Sequence, residues 1–292
     1  MTRTIALAFI GILAAAGPAA AEETAHAYCQ KGFILKDKGK LKEALEQIEI
    51  CLGKNPKHFE GWYQKGRILV KLGKNEDAKE AFGKAIGIKD SDSWAHSGLC
   101  GVLVQLEEID PALASCEKAV SLDDKNWEAY ANLGLIYRQL KKYDAAALNY
   151  QKAIEIEPKE VFLYNNLGVV YRKMKKYDDA VKMFQKCIEL DPDNGVYHQN
   201  LAVAFRAQER YELAIAEYVE ATTLDAKLDG AWWDLALCYQ AIGEDDKALE
   251  ALEKYLALVE GKNPLAEEKA KEKIESIKEM KDSKGSKKKG SK

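Results

Sequence analysis

The chain has 292 residues and a formal net charge of −3. That balance is uneven: residues 281–292 hold six lysines against one aspartate, while residues 22–280 hold 37 basic and 46 acidic residues, a net −9. A body of that sign excludes nucleic-acid binding through a basic surface. Nucleophile motifs, a glycine-rich phosphate loop, HExxH and a haem-attachment motif are all missing, so neither a catalytic site nor a cofactor is expected.

The first segment, 1–21, differs from the rest. Arg3 precedes an apolar run over residues 5–17, and Ala19-Ala20-Ala21 then meets Glu22-Glu23. A charged start, a run short for a bilayer span and an A-x-A junction predict a secretory signal peptide with the mature chain starting at Glu22. The rival reading is an uncleaved membrane anchor. Export places the protein in the periplasm or outside the cell.

From residue 25 to 262 the chain repeats. Ala44, Ala78, Ala112, Ala146, Ala180, Ala214 and Ala248 stand 34 residues apart without a slip, which divides the segment into 25–58, 59–92, 93–126, 127–160, 161–194, 195–228 and 229–262. The eighth position is small in every copy (Gly66, Gly134 and Gly168 among them), the fourth is a ring, and the twenty-fourth is mostly large and apolar. Positions 4, 8 and 11 share one helical face, as do 20, 24 and 27. Two antiparallel helices per repeat follow, close where the small residues meet and filled where the large ones stand. Asp110-Pro111 reads as the N-cap and first residue of a second helix, and Pro56, Pro158 and Pro192 mark where second helices end. Asn263-Pro264 opens a capping helix over 263–281, with Ala266, Ala270, Ile274 and Ile277 at helical spacing. The Lys/Gly/Ser segment 282–292 reads as a disordered tail, either merely solubilising or a weak electrostatic contact to an anionic envelope surface.

Residues 130–158 and 164–192 match W-x2-L-G-x2-Y…A-x3-F…P almost in full, and the register as a whole resembles the tetratricopeptide repeat (TPR). The resemblance covers 25–262, with Lys31 and Lys65 departing where leucine is usual. It implies an all-α, right-handed superhelical solenoid of seven helix-turn-helix repeats with a C-terminal cap, whose concave groove is lined by the first helix of each repeat.

On that frame the arginines are informative, since there are six against 38 lysines. Arg138, Arg172 and Arg206 all occupy position 12 of consecutive repeats, and Asn132, Asn166 and Asn200 occupy position 6 of the same three. Arg67, Tyr63 and Trp233 stand at other positions the family turns inward. Asparagine pairs with any peptide backbone, a guanidinium fork with carboxylates or carbonyls, and rings anchor side chains. The expected function is a non-enzymatic protein-interaction scaffold holding an extended peptide in the groove. The competing reading of the arginines is internal pairing with neighbouring acids. Cys29 with Cys51, and Cys100 with Cys116, sit opposite each other across one hairpin and are expected to form disulfides if the chain is exported. Cys187 and Cys238 are too far apart to join. An alternative function is thiol-redox or metal handling by the cysteines of repeats 1 and 3, with His96 beside Cys100 and Cys116; no metal is expected, because a fourth ligand is lacking.

Overall fold

The computed structural model describes residues 18–289, and every element in them is a helix. They form two compact units divided after Ala129. In the first, α1 (Pro18–Asp37) pairs with α2 (Leu41–Lys54), α3 (Phe59–Lys71) with α4 (Asn75–Ile88), and α5 (Ser93–Gln105) with α6 (Ile109–Leu122). The second holds most of α7 (Trp127–Gln139), with α8 (Tyr143–Ile156), then α9 (Val161–Lys173) on α10 (Tyr177–Leu190), α11 (Gly195–Ala207) on α12 (Tyr211–Leu224) and α13 (Asp229–Ala241) on α14 (Asp245–Val259). The last helix, α15 (Pro264–Lys289), lies against α14.

Several hairpins close by setting a small residue against a ring. A Cβ added at Gly168 would stand 2.7 Å from Phe184, and one at Gly66 or Gly134 would stand 2.9 Å from Phe82 or Tyr150. Phe82, Tyr150, Phe184 and Tyr218 are among the largest fully buried side chains. Burying an aromatic side chain of this kind stabilises by about 3 kcal/mol, so the position-24 rings are a main source of cohesion.

The turn inside each hairpin is the same in every copy. Position 15 has positive φ throughout: 75° at Gly39, 72° at Gly73, 62° at Glu107, 59° at Lys141 and Lys175, 60° at Glu209 and 81° at Gly243. The middle copies therefore hold non-glycine residues in the left-handed region.

Within each unit the first helices of successive pairs also touch, α1 with α3 and α3 with α5, then α9 with α11 and α11 with α13. Among the described residues no comparable contact joins α2 to α4, α4 to α6, α10 to α12 or α12 to α14. Each unit therefore curves with its first helices inside.

Three details depart from expectation. The second helix of repeat 3 starts at Ile109 with Glu108 as N-cap, so Pro111 falls inside the first turn, where its missing N–H is still harmless. The cap does not stop at 281, because α15 continues to Lys289. Lysine is a good helix former, and growth from a docked helix needs no new nucleus. The leader expected over 1–21 lies mostly outside the described residues, with α1 opening at Pro18. At the start of α15, Asn263 Oδ1 accepts from Ala266 N at 3.2 Å, and Ala270, Ile274 and Ile277 are buried.

Candidate functional site

The inner wall can be read from burial. On α9 the residues turned into the stack are Leu163, Tyr164, Leu167, Gly168 and Val170. The open stripe is then Phe162, Asn165, Asn166, Val169 and Arg172, and the matching stripe on α11 is Val196, Gln199, Asn200, Val203 and Arg206. Phe162 is 40% exposed and Val196 42%. Polar bonds between first helices stand on this wall. Asn200 Nδ2 donates to Asn165 Oδ1 at 2.8 Å, linking α11 to α9.

The arginines do not behave alike. Arg206 Nη2 lies 3.3 Å from Asp234 Oδ2, and Tyr218 Oη donates to the same oxygen at 3.1 Å. Burial alone would lower the Arg206 pKa, but Asp234 and then Tyr218 outweigh it and hold it up. For this arginine the internal-pairing reading holds. Arg67 is also committed within the first unit: Nη1 donates to Tyr63 Oη at 3.0 Å, and Nη2 is 3.6 Å from Glu128. Tyr63 offers little ring to a ligand, because its side chain packs on Phe82 and stacks on Phe59 in the core.

Arg138 and Arg172 are half-buried and, among the described residues, in no ion pair. The Arg172 Nε is buried without a hydrogen-bond partner, as the Arg206 Nε is, and so is the Tyr150 hydroxyl on α8. Burial pushes Tyr150 up to about 12, against the lowering pull of Arg138 nearby. Asn132 and Asn166 are partly open on the same wall. Trp233 packs on Tyr255 with ring centres 5.1 Å apart and borders a cleft of about 400 Å³ that also meets Asp234. A larger cleft, about 840 Å³, opens in the first unit over Trp62, Leu99 and Leu103, where Gly83 and Gly87 leave room and the Lys79–Glu108 ion pair stands at the rim.

The sequence reading missed Tyr150, Tyr218 and Asp234. A signal existed: position 6 runs Asn132, Asn166, Asn200, Asp234, so the ladder ends in a carboxylate.

Two disulfides are present, Cys29–Cys51 and Cys100–Cys116, each with Cα atoms 5.3 Å apart and each joining the two helices of one pair. His96 beside the second is taken up by Asp90, its Nε2 lying 3.0 Å from the carbonyl oxygen and 3.3 Å from the carboxylate. The group that can converge on a metal is a different one. Cys29, Cys51 and His58 bring their donor atoms within 4.8 Å of one another, but both sulfurs are spent in the disulfide. His58 Nδ1 also accepts from Gly61 N at 3.0 Å as the N-cap of α3. Cys187 and Cys238 are buried free thiols, pushed up to about 12 and about 11 by burial.

Tetratricopeptide repeat models match residues 25–58, 59–92, 115–147, 161–194, 183–216 and 231–258, and a TPR repeat model matches 134–175. The chain belongs to the tetratricopeptide repeat family, whose members are in general non-enzymatic scaffolds that bind protein partners. Similar solved structures include YrrB, described as a TPR protein with an unusual peptide-binding site, at 24% identity over 66% of this chain and 99% of its own, with a TM-score of 0.57. PilF of Pseudomonas aeruginosa is 22% identical over 74% of this chain and 97% of its own, with a TM-score of 0.64. A tetratricopeptide repeat protein of Parabacteroides merdae is 19% identical over 87% and 99%, with a TM-score of 0.60. At these identities the likeness is one of fold. No curated protein matches the chain.

Proposed function

We propose that this protein is an envelope scaffold that binds an extended segment of a partner protein along the inner wall of its second unit. The observation that carries the reading is the composition of that wall. On α9 and α11 it presents amides, Arg172 and the exposed apolar side chains Phe162 and Val196, with no acidic residue on either helix, in a body that nets −9. Amides bond a peptide backbone regardless of its sequence, while Phe162 and Val196 supply apolar anchorage. YrrB, of the same fold, carries a peptide-binding site by its own description. The envelope placement is supported by the leader-like segment 1–21 and by two disulfides, bonds that persist in oxidising compartments. The lysines of 281–292 give a weak attraction to anionic envelope surfaces.

The test is site-specific photocrosslinking in intact cells of the source. A photoreactive residue placed at Asn132, Asn166 or Asn200 is expected to capture a partner polypeptide, and one at Leu148 or Val219, exposed on second helices, is not. Capture only from the outer positions would overturn the groove. N-terminal sequencing of the mature protein, expected to begin at Glu22, tests export.

A second reading rests on the Cys29, Cys51 and His58 cluster, which becomes a dithiol beside an imidazole on reduction. Metal analysis of reduced protein, with Cys29→Ser as control, separates it from the first.

A further inference from the structure

The stack repeats one three-residue arrangement along its inner wall, and in a single copy that arrangement is complete. In its complete form, position 12 of one repeat, position 24 of the same repeat and position 6 of the next are Arg206, Tyr218 and Asp234. There the carboxylate takes both donors, Arg206 Nη2 at 3.3 Å and Tyr218 Oη at 3.1 Å. The copy two repeats earlier is Arg138, Tyr150 and Asn166. It has the same donors and lacks the acid. Its tyrosine is as fully buried as Tyr218, yet the hydroxyl has no partner, and the arginine is in no ion pair among the described residues. The copy between them is Arg172, Phe184 and Asn200. Its arginine likewise is in no ion pair among the described residues, and Asn200 is turned to Asn165 instead; its Nε is buried unpaired, as the Arg206 Nε is too.

A half-buried guanidinium and a buried hydroxyl without acceptors are costly in an unliganded wall. Asp234 shows what receives an arginine Nη2 and a buried tyrosine hydroxyl in this architecture. Charge complementarity agrees, because the stripe of α9 carries Arg172 and no acid, while on α11 Arg206 is already balanced by Asp234.

We infer that the partner segment is acidic: its carboxylates are received at Arg138 and at Arg172, and Asp234 is the built-in counterpart of that contact at Arg206. The inference rests on the groove reading above and adds the chemistry of what the groove takes. Asparagine at 166 and 200, in place of aspartate, leaves the two arginines available to that partner.

The experiment uses the full-length, disulfide-bonded protein and fluorescein-labelled extended peptides of glycine, serine and valine. One set carries paired glutamates at a range of separations; the other carries glutamine at the same places. Each is made with a free and with an amidated C-terminus. Glutamate peptides are expected to bind about tenfold tighter or more than their glutamine counterparts by fluorescence anisotropy. Arg138→Gln and Arg172→Gln should each remove about tenfold, and Tyr150→Phe should weaken the Arg138 contact. The decisive variant is Asn166→Asp, which places an Asp234-like acid beside Arg138. It should fold normally by circular dichroism and still lose about tenfold for the acidic peptides, with no loss for the glutamine set. An advantage that depends on the free C-terminus and not on glutamate assigns the carboxylate to the chain end and overturns the inference of an acidic segment. Equal binding of glutamate and glutamine peptides overturns it while leaving the groove reading intact. Undiminished acidic binding by Asn166→Asp also overturns it, as does no binding by any peptide, and photocrosslinking then judges the groove separately.

Discussion

Asn126 Nδ2 donates to Ser93 Oγ at 2.6 Å, although the two residues are 33 positions apart. Both are buried. Ser93 passes the bond on to the Ala119 carbonyl at 2.9 Å, and Asn126 Oδ1 caps α7 by accepting from Ala129 N at 3.0 Å. One amide therefore starts a helix and ties it to the start of the first helix one repeat earlier. Asn126→Ala removes the cap and an internal hydrogen bond together, a loss of about 2–3 kcal/mol. Urea denaturation followed by circular dichroism measures it. An unchanged midpoint would show the network to be idle.

The position-15 turn supplies a prediction of opposite sign. Glu107, Lys141, Lys175 and Glu209 hold positive φ without being glycine. Replacing any of them by glycine relieves about 1–2 kcal/mol of left-handed strain, offset in part by the greater freedom of unfolded glycine. A net gain of about 0.5–1 kcal/mol per site is expected. Gly243→Ala should lose about 1 kcal/mol at the equivalent turn.

Gly168→Ala puts a methyl 2.7 Å from the Phe184 ring. Helix propensity favours alanine by about 1 kcal/mol, while overpacking costs about 1–3. The variant should be destabilised, and Phe184→Leu should recover part of the loss. A Gly168→Ala protein as stable as the parent would mean that the hairpin opens without cost.

Tyr150 and Tyr218 should respond differently to loss of the hydroxyl. The Tyr150 hydroxyl is buried unpaired, so Tyr150→Phe is neutral or stabilising by up to about 1 kcal/mol, whereas Tyr218→Phe loses a bond to a carboxylate worth about 1.5–3. The pH dependence follows. Folding holds the Tyr150 phenol neutral up to about 12, from an ordinary value of 10.0. Since the raised pKa belongs to the folded state, its contribution is complete below pH ~10 and lost as the pH climbs through ~12. Absorbance at the phenolate band, with stability measured across that window, should show a smaller alkaline loss in Tyr150→Phe.

The thiols give a chemical count. Native protein should react with no Ellman's reagent at neutral pH, because Cys187 and Cys238 are buried with raised pKa values and the other four cysteines are bonded. Denaturation should release two thiols, and reduction in denaturant six. Two thiols reacting in the native state would place Cys187 and Cys238 at an accessible surface.

Much of the fold was legible because packing repeats with the chain. Alanine every 34 residues and the glycine-ring pairs reflect one contact made again and again, so spacing alone located the hairpins. Helix ends were harder. Ile109 begins α6 ahead of Asp110-Pro111, since proline is tolerated anywhere in a first turn. The site was legible by residue type and not by role. Arg138, Arg172 and Arg206 share one repeat position, and Asp234 at the end of the position-6 ladder was the one sequence sign that Arg206 differs. The structure shows it paired there, with no ion pair at the other two among the described residues. Tyr63 looked like a groove ring, yet Phe82 and Phe59 draw it into the core.

Both disulfides close a hairpin on itself, and neither crosses from one hairpin to the next. A mechanical load along the chain would accordingly meet two kinds of resistance. Neither bond ties neighbouring modules together, whereas the first and third modules cannot be drawn out into fully extended chain while their sulfurs stay joined. Under tension, the segments between the paired sulfurs, with sequence separations of 22 and 16, stay closed even where the helices around them come apart.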